Sequence, residues 1–258
     1  MTEIHSTAIV SSKAKLGNNV KIGPFSIIHD DVEIGDDCII DSHVVLYDGA
    51  RIGNRVRIFQ GAAVANVPQD LKFGNEESYF FVGDDTQIRE YVTLHRGTHA
   101  TGKSSVGKNC LLMAYTHVAH DCTLGDNIIL ANAVQIAGHV EIEDNVIIGG
   151  VTGIHQFSKI GAYAMIGSNS KVSSDVPPFV MVQGAPCRFE GINKIGLRRK
   201  GFTSEQINAI KEAYRILYLS NLLFSEAKVR IEQELGNNQV VQQILSFLAK
   251  SNRGIVRR

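Results

Sequence analysis

Apolar residues recur along this chain with a period of six. Ile, Leu or Val opens a six-residue block twenty-six times from Ile4 to Val172, always on the same count, as in Ile22, Ile28, Ile34, Ile40 and Leu46. Four places after each opener lies a second inward position held by smaller residues such as Ala8, Val20, Ser26 and Cys38, with Ile128 the one bulky occupant. Neither the period of a helix nor that of a plain strand fits. The repeat predicts a parallel β-helix built from hexapeptides. Three hexapeptides close a triangular coil, so residues 18 apart stack vertically at a spacing of about 4.8 Å.

The pattern breaks twice. Between Val64 and Val82, Asp70 and Glu76 fall where openers belong, and Pro68, Gly74 and Phe80 where small residues belong. This predicts a loop over about 65–81, and a shorter excursion is expected at 100–105. Loops held by a rigid scaffold are frequent carriers of function. The array ends at Pro177-Pro178, and the text turns helical from Thr203, where Thr203 and Gln206 form a capping box. Further amphipathic stretches follow at about Ser225–Leu235 and Asn238–Lys250. The predicted division is a β-helix domain over 1–190 and a small helical domain over 191–258, which would cover the open end of the β-helix.

Twenty-six basic and twenty-six acidic residues leave no net charge, so nothing in the bulk electrostatics favours nucleic acid. No membrane span or secretion signal is evident, which points to the cytoplasm without stable membrane insertion. Cys38, Cys110 and Cys122 occupy inward fifth positions and Cys187 lies outside the array, so reduced thiols are expected.

Six of the nine histidines, His95, His99, His117, His120, His139 and His155, fall in one stretch, none at an inward position. The 18-residue step stacks His120, Gly138 and Gln156 in one column and sets Asp121 beneath His139. An imidazole can take a proton from an alcohol while a neighbouring carboxylate fixes its tautomer. Glycine one level away lets an oxygen reach a backbone N–H, as an oxyanion site requires. Base plus oxyanion donor reads as acyl transfer. With no nucleophile elbow and the cysteines inward, the acceptor hydroxyl is expected to attack the acyl donor directly.

The loop segment QDLKF (Gln69–Phe73), the run from Ile88 to Thr98, HVAHDC (His117–Cys122), AGHV (Ala137–Val140), IHQF (Ile154–Phe157), DVPP (Asp175–Pro178) and GLRRKGF (Gly196–Phe202) together resemble the acyl-carrier-protein:UDP-N-acetylglucosamine O-acyltransferase family, which begins lipid A synthesis. The resemblance covers essentially the whole chain. It implies a left-handed β-helix, a homotrimer with sites between subunits, no cofactor and no metal. The implied partners are acyl carrier protein bearing a 3-hydroxyacyl chain, and UDP-N-acetylglucosamine.

By motif, His120 resembles the general base, Asp121 its orienting acid and Gly138 the oxyanion donor. Asp70, Lys72, His95, His117 and His139 resemble sugar and acyl contacts. His155, Gln156, Asn193 and Arg199 resemble nucleotide contacts, and Ser168 matches the position that limits acyl length. A small residue there implies that longer chains are admitted. Two residues after Asn193, where the family commonly carries an acid, this chain has Ile195. The basic group Arg188, Lys194, Arg198, Arg199 and Lys200 offers a contact for acyl carrier protein.

Rival readings are another hexapeptide acyltransferase, with an amine acceptor or coenzyme A donor, a zinc enzyme of the γ-carbonic-anhydrase kind using His117 and His120, and a noncatalytic scaffold.

Overall fold

The computed structural model describes residues 1–258. Through Lys171–Val172 the strands visit three parallel faces in rotation and wind a triangular prism, and the last two strands, Val180–Gln183 and Arg188–Ile192, add an antiparallel pair to the first face. The first face runs from Glu3–Ile4 and holds 11 strands, the second from Ile9–Val10 with 9, and the third from Lys15–Leu16 with 8. The expected β-helix is therefore present. Most strands are two residues long, because each hexapeptide spends the rest of its length turning the next corner.

Register follows the 18-residue step, as in Ile4 on Ile22 and Ile22 on Ile40. Across the long loop Ile58 pairs with Ile88, and across the short one Ile88 pairs with Leu112. The loops thus add twelve and six residues, whole numbers of hexapeptides, which is why the apolar count never slips.

The first excursion occupies 67–78, narrower than about 65–81, and the second occupies 96–102, beginning and ending before 100–105. The difference has a packing cause. Phe80, expected as part of the break, is fully buried in the strand Tyr79–Val82, and Ser104 is fully buried in Lys103–Val106. A phenylalanine can take a fifth position where a loop enters the coil.

At the fourth position of most blocks the chain turns with positive φ on a non-glycine residue: Asn19 at 56°, Asp85 at 60°, Asp121 at 58°, His139 at 60° and Phe157 at 63°. Each such residue costs about 1 kcal/mol, which the hydrogen bonds of the coils above and below offset. The left-handed turn throws the fourth side chain off the corner, so corner residues form outward columns. Asp121, His139 and Phe157 are one such column.

One apolar cluster of 60 buried residues runs from the axis into the helices. The capping helices are α1 (Lys194–Arg199), α2 (Ser204–Leu219), α3 (Phe224–Leu235) and α4 (Gln239–Lys250). Thr203 and Gln206 form the reciprocal cap of α2. Tyr214 in α2 is buried and its hydroxyl donates to the Pro178 carbonyl at 2.6 Å, fastening the helices over the last coil. No helix is long and apolar enough to cross a membrane.

Candidate active site

Both loops leave the prism at the corner between the second and third faces, one coil apart, and the His120–Asp121 and Gly138–His139 turns occupy the next two coils of that corner. The long loop is closed onto the scaffold by Arg96, which donates to the Asp48 carbonyl at 3.1 Å and lies over the Phe73 ring. The loops also meet: the His99 N–H donates to the Glu76 carboxylate at 2.9 Å.

His120 Nδ1 lies 2.8 Å from Asp121 Oδ2. A carboxylate can only accept, so Nδ1 carries the proton and Nε2 presents its lone pair outward. The Asp121 side chain is completely buried and its oxygens accept two hydrogen bonds each. Oδ1 takes the Thr98 N–H at 3.0 Å and the Thr101 hydroxyl; Oδ2 takes the Thr98 hydroxyl at 2.8 Å and His120. Burial pushes the carboxyl up, but the donors Thr101, His120 and Thr98 outweigh it and hold it at about 2. Asp121 is therefore a fixed negative charge beside the imidazole.

Gly138 lies directly over the His120 ring. A Cβ there would come within 2.7 Å of His120 Cε1 and 2.8 Å of Nε2, so only glycine fits. The Gly138 residue is buried, yet its N–H has no acceptor within the protein. A buried amide without a protein acceptor is open to an outside oxygen.

His139 stands edge-on to His120 with ring centroids 5.1 Å apart, and stacks on Phe157 at 4.5 Å. His95 and His117 form a second edge-on pair at 5.0 Å. His95 was expected to point outward; it does leave the axis, but the long loop seals it to 5% exposure. Its Nδ1 faces the Val67 carbonyl at 2.7 Å. Burial lowers His95, against that hydrogen bond. Burial also pushes His117 down to about 4, with His95 and His120 adding repulsion against its cation. His117 is neutral at pH 7 and can accept or donate through either nitrogen; Nδ1 meets the Thr93 hydroxyl at 2.9 Å.

His117 and His155 line an open groove of about 520 Å³ on the second face, floored by Ile136, Ile154 and Val172 and ending at Lys171. Gly153 leaves its middle clear, since a Cβ built there meets nothing within 4 Å. Gln156 and Phe157 are exposed above. Asp70 closes a turn of the long loop by accepting the Lys72 N–H at 3.0 Å, which leaves the Lys72 side chain in solvent.

Three expected site residues are not brought to this corner. Ser168 turns the corner between first and second faces. Asn193 caps α1, accepting the Gly196 N–H at 3.1 Å, and donates to the Tyr163 carbonyl at 3.0 Å on the third corner. Arg199 is exposed in the last turn of α1. The sequence reading also missed Thr98, Thr101 and Phe157. Phe157 was accessible from the 18-residue step above His139; the threonines were not, because they lie in aperiodic text.

His120, Asp121 and His139 are also a possible metal triad, their ligand atoms within 4.8 Å. The donor set argues against it: four hydrogen bonds already fill the lone pairs of Asp121. His117, the other histidine of the zinc reading, is paired with His95 instead.

A hexapeptide β-helix that holds an imidazole, a buried carboxylate and a free amide at one corner defines a hexapeptide-repeat acyltransferase. The family profile described as UDP N-acetylglucosamine O-acyltransferase, domain 2, matches residues 175–256, and the bacterial transferase hexapeptide profile matches 13–48 and 103–138. The acyl-(acyl-carrier-protein)–UDP-N-acetylglucosamine O-acyltransferase of Thiobacillus denitrificans is 43% identical over 258 residues, covering all of both chains. That of Herminiimonas arsenicoxydans is 45% identical over 262 residues, again with full coverage. The UDP-N-acetylglucosamine acyltransferase structure from Bacteroides fragilis superposes with a TM-score of 0.96 at 43% identity, covering 98% of this chain and 99% of that one. The chain belongs to the acyl-(acyl-carrier-protein)–UDP-N-acetylglucosamine O-acyltransferase family.

Proposed function

We infer that the chain transfers a 3-hydroxyacyl group from acyl carrier protein to the 3-hydroxyl of UDP-N-acetylglucosamine, the first step of lipid A synthesis. The carrying observation is the unpaired Gly138 amide over the His120 ring, with Asp121 holding Nδ1. His120 Nε2 takes the hydroxyl proton as the sugar oxygen attacks the thioester carbonyl. The carbonyl oxygen gathers charge against the Gly138 N–H, and Asp121 stabilises the imidazolium. Collapse of the tetrahedral adduct breaks the C–S bond, and the proton held by His120 goes to the departing thiolate. No acyl-enzyme forms.

Asp70 and Lys72 from the loop, with His117 and His139, are proposed as sugar and acyl contacts, while His95, sealed beneath the loop, acts from behind His117. The apolar groove from His117 to Val172 suits an acyl chain, and His155 with Gln156 suits the diphosphate. Ser168, Asn193 and Arg199 enter from a neighbouring chain of a homotrimer. In support, the upper first face is apolar and open: Ile147 and Met165 are each 37% exposed and Met181 38%. The basic residues of α1 are proposed to meet acyl carrier protein. The inferred compartment is the cytoplasm, in keeping with four buried cysteines as free thiols.

The test is acyl transfer by purified His120→Ala. A loss of about 10²-fold or more is expected for a general base; near-intact turnover by a folded variant overturns the assignment.

A further inference from the structure

The shorter loop does more than leave and rejoin the coil. Within its few residues three donors converge on one carboxylate: the Thr98 N–H at 3.0 Å, the Thr98 hydroxyl at 2.8 Å and the Thr101 hydroxyl. Thr98 is 3% exposed, and its hydroxyl oxygen in turn accepts the Ala100 N–H at 3.2 Å. The Lys103 carbonyl, 2.7 Å from the Thr101 hydroxyl, competes for its proton, but a charged carboxylate is the stronger acceptor.

What these donors oppose is visible on the other side of Asp121. The titratable groups facing it are two imidazoles, His120 on its own turn and His139 on the next coil, whose Nε2 is 3.7 Å from the same Oδ2. No lysine or arginine pairs with it. A carboxylate free to rotate about its Cβ–Cγ bond divides its hydrogen bonding between the two rings, and an imidazole without a fixed acceptor loses its tautomer. With both oxygens anchored from the loop, Oδ2 keeps the direction that meets His120.

We propose that Thr98 and Thr101 are positioning residues that lock the Asp121 carboxylate toward His120 and away from His139, so that the short loop sets the tautomer and aim of the base. This rests on the reading of His120 as general base. It assigns to the six-residue insertion a role in turnover rather than in coil closure alone.

The test uses Thr98→Val, Thr101→Val and the double variant in the full-length chain, each isosteric and lacking only the hydroxyl. Expected for the double variant is a kcat about 10-fold lower, the scale on which a misaimed reacting group slows chemistry. KM for both substrates should stay within about twofold, since ground-state contacts are untouched. Thr98→Ser and Thr101→Ser restore the donors and should restore kcat. In parallel, carbon-13 NMR of the Asp121 carboxyl should show its titration rising above about 2 in the valine variants. Should Thr98→Val fail to fold, Thr101→Val alone decides, because Thr101 is an exposed loop residue. Unchanged kcat in a folded valine variant, or an unmoved Asp121 titration, overturns the proposal. The titration needs no turnover. Activity surviving in His120→Ala therefore sinks the base reading alone.

Discussion

Two corners of the prism use the same backbone for opposite ends. At the corner between third and first faces, the third-position amides are satisfied by side chains one coil up: Asn18 N–H to Asp36, Asp36 to Asn54, Asn54 to Asp84, then Lys108 to Asp126 and Asp126 to Asp144, at 2.6–2.9 Å. At the corner between second and third faces the equivalent residues are His120, Gly138 and Gln156, and the Gly138 amide is left unpaired. One corner is an asparagine and aspartate ladder that closes on itself, in contact with water. The other carries two loops, its acid is saturated by donors, and its third-position amides, the buried Gly138 N–H among them, have no acceptor.

The largest effect is expected at the point of contact between base and amide. Gly138→Ala drives a methyl group into the His120 ring and should lower kcat by about 10²-fold or more while the coil stays folded. Circular dichroism alongside steady-state turnover checks this, and near-normal kcat would mean that the two groups do not act together. Asp121→Asn keeps the shape but not the charge. On the order of 10²-fold lower kcat is expected, because an amide can present the wrong partner to Nδ1.

The ladder corner should answer in the reverse manner. Asp126→Ala removes the acceptor of the Lys108 N–H and should cost about 1 kcal/mol of stability, read from the denaturation midpoint. kcat of the folded enzyme should not change. A fall in kcat as large as that of Asp121→Asn would erase the distinction between the corners.

The smallest effect is in pH. His117 is held down at about 4, so the unfolded chain binds its proton first as pH falls from about 6.5, and stability declines across that window. Asp121 lies low instead, and its contribution is present above the unfolded carboxyl value and lost only as pH falls from about 4 toward 2. Chemical denaturation at stepped pH should show the first decline shrink in His117→Gln and the second persist.

The period of six carried the coil, its three faces and the vertical meeting of His120 with Gly138, because each hexapeptide's geometry is local and repeats. The same step placed Asp121 under His139. The helical cap was legible from Thr203 with Gln206 and from apolar spacing, again local signals. The roof over the site was not legible. Val67, Thr98 and Thr101 lie in aperiodic segments whose paths depend on what they dock against.

By itself, then, the sequence determined the winding, the register through insertions of twelve and six residues, and the column that unites imidazole and glycine, since all follow from counting along a fixed repeat. Only the tertiary structure decided that both loops rise from one corner, that His95 is sealed beneath one of them, and that Asp121 is saturated by the other. It also set Ser168, Asn193 and Arg199 on other corners. The physical reason is that burial and hydrogen-bond partners are properties of neighbours in space, and where the repeat lapses the chain no longer states which neighbours it will meet.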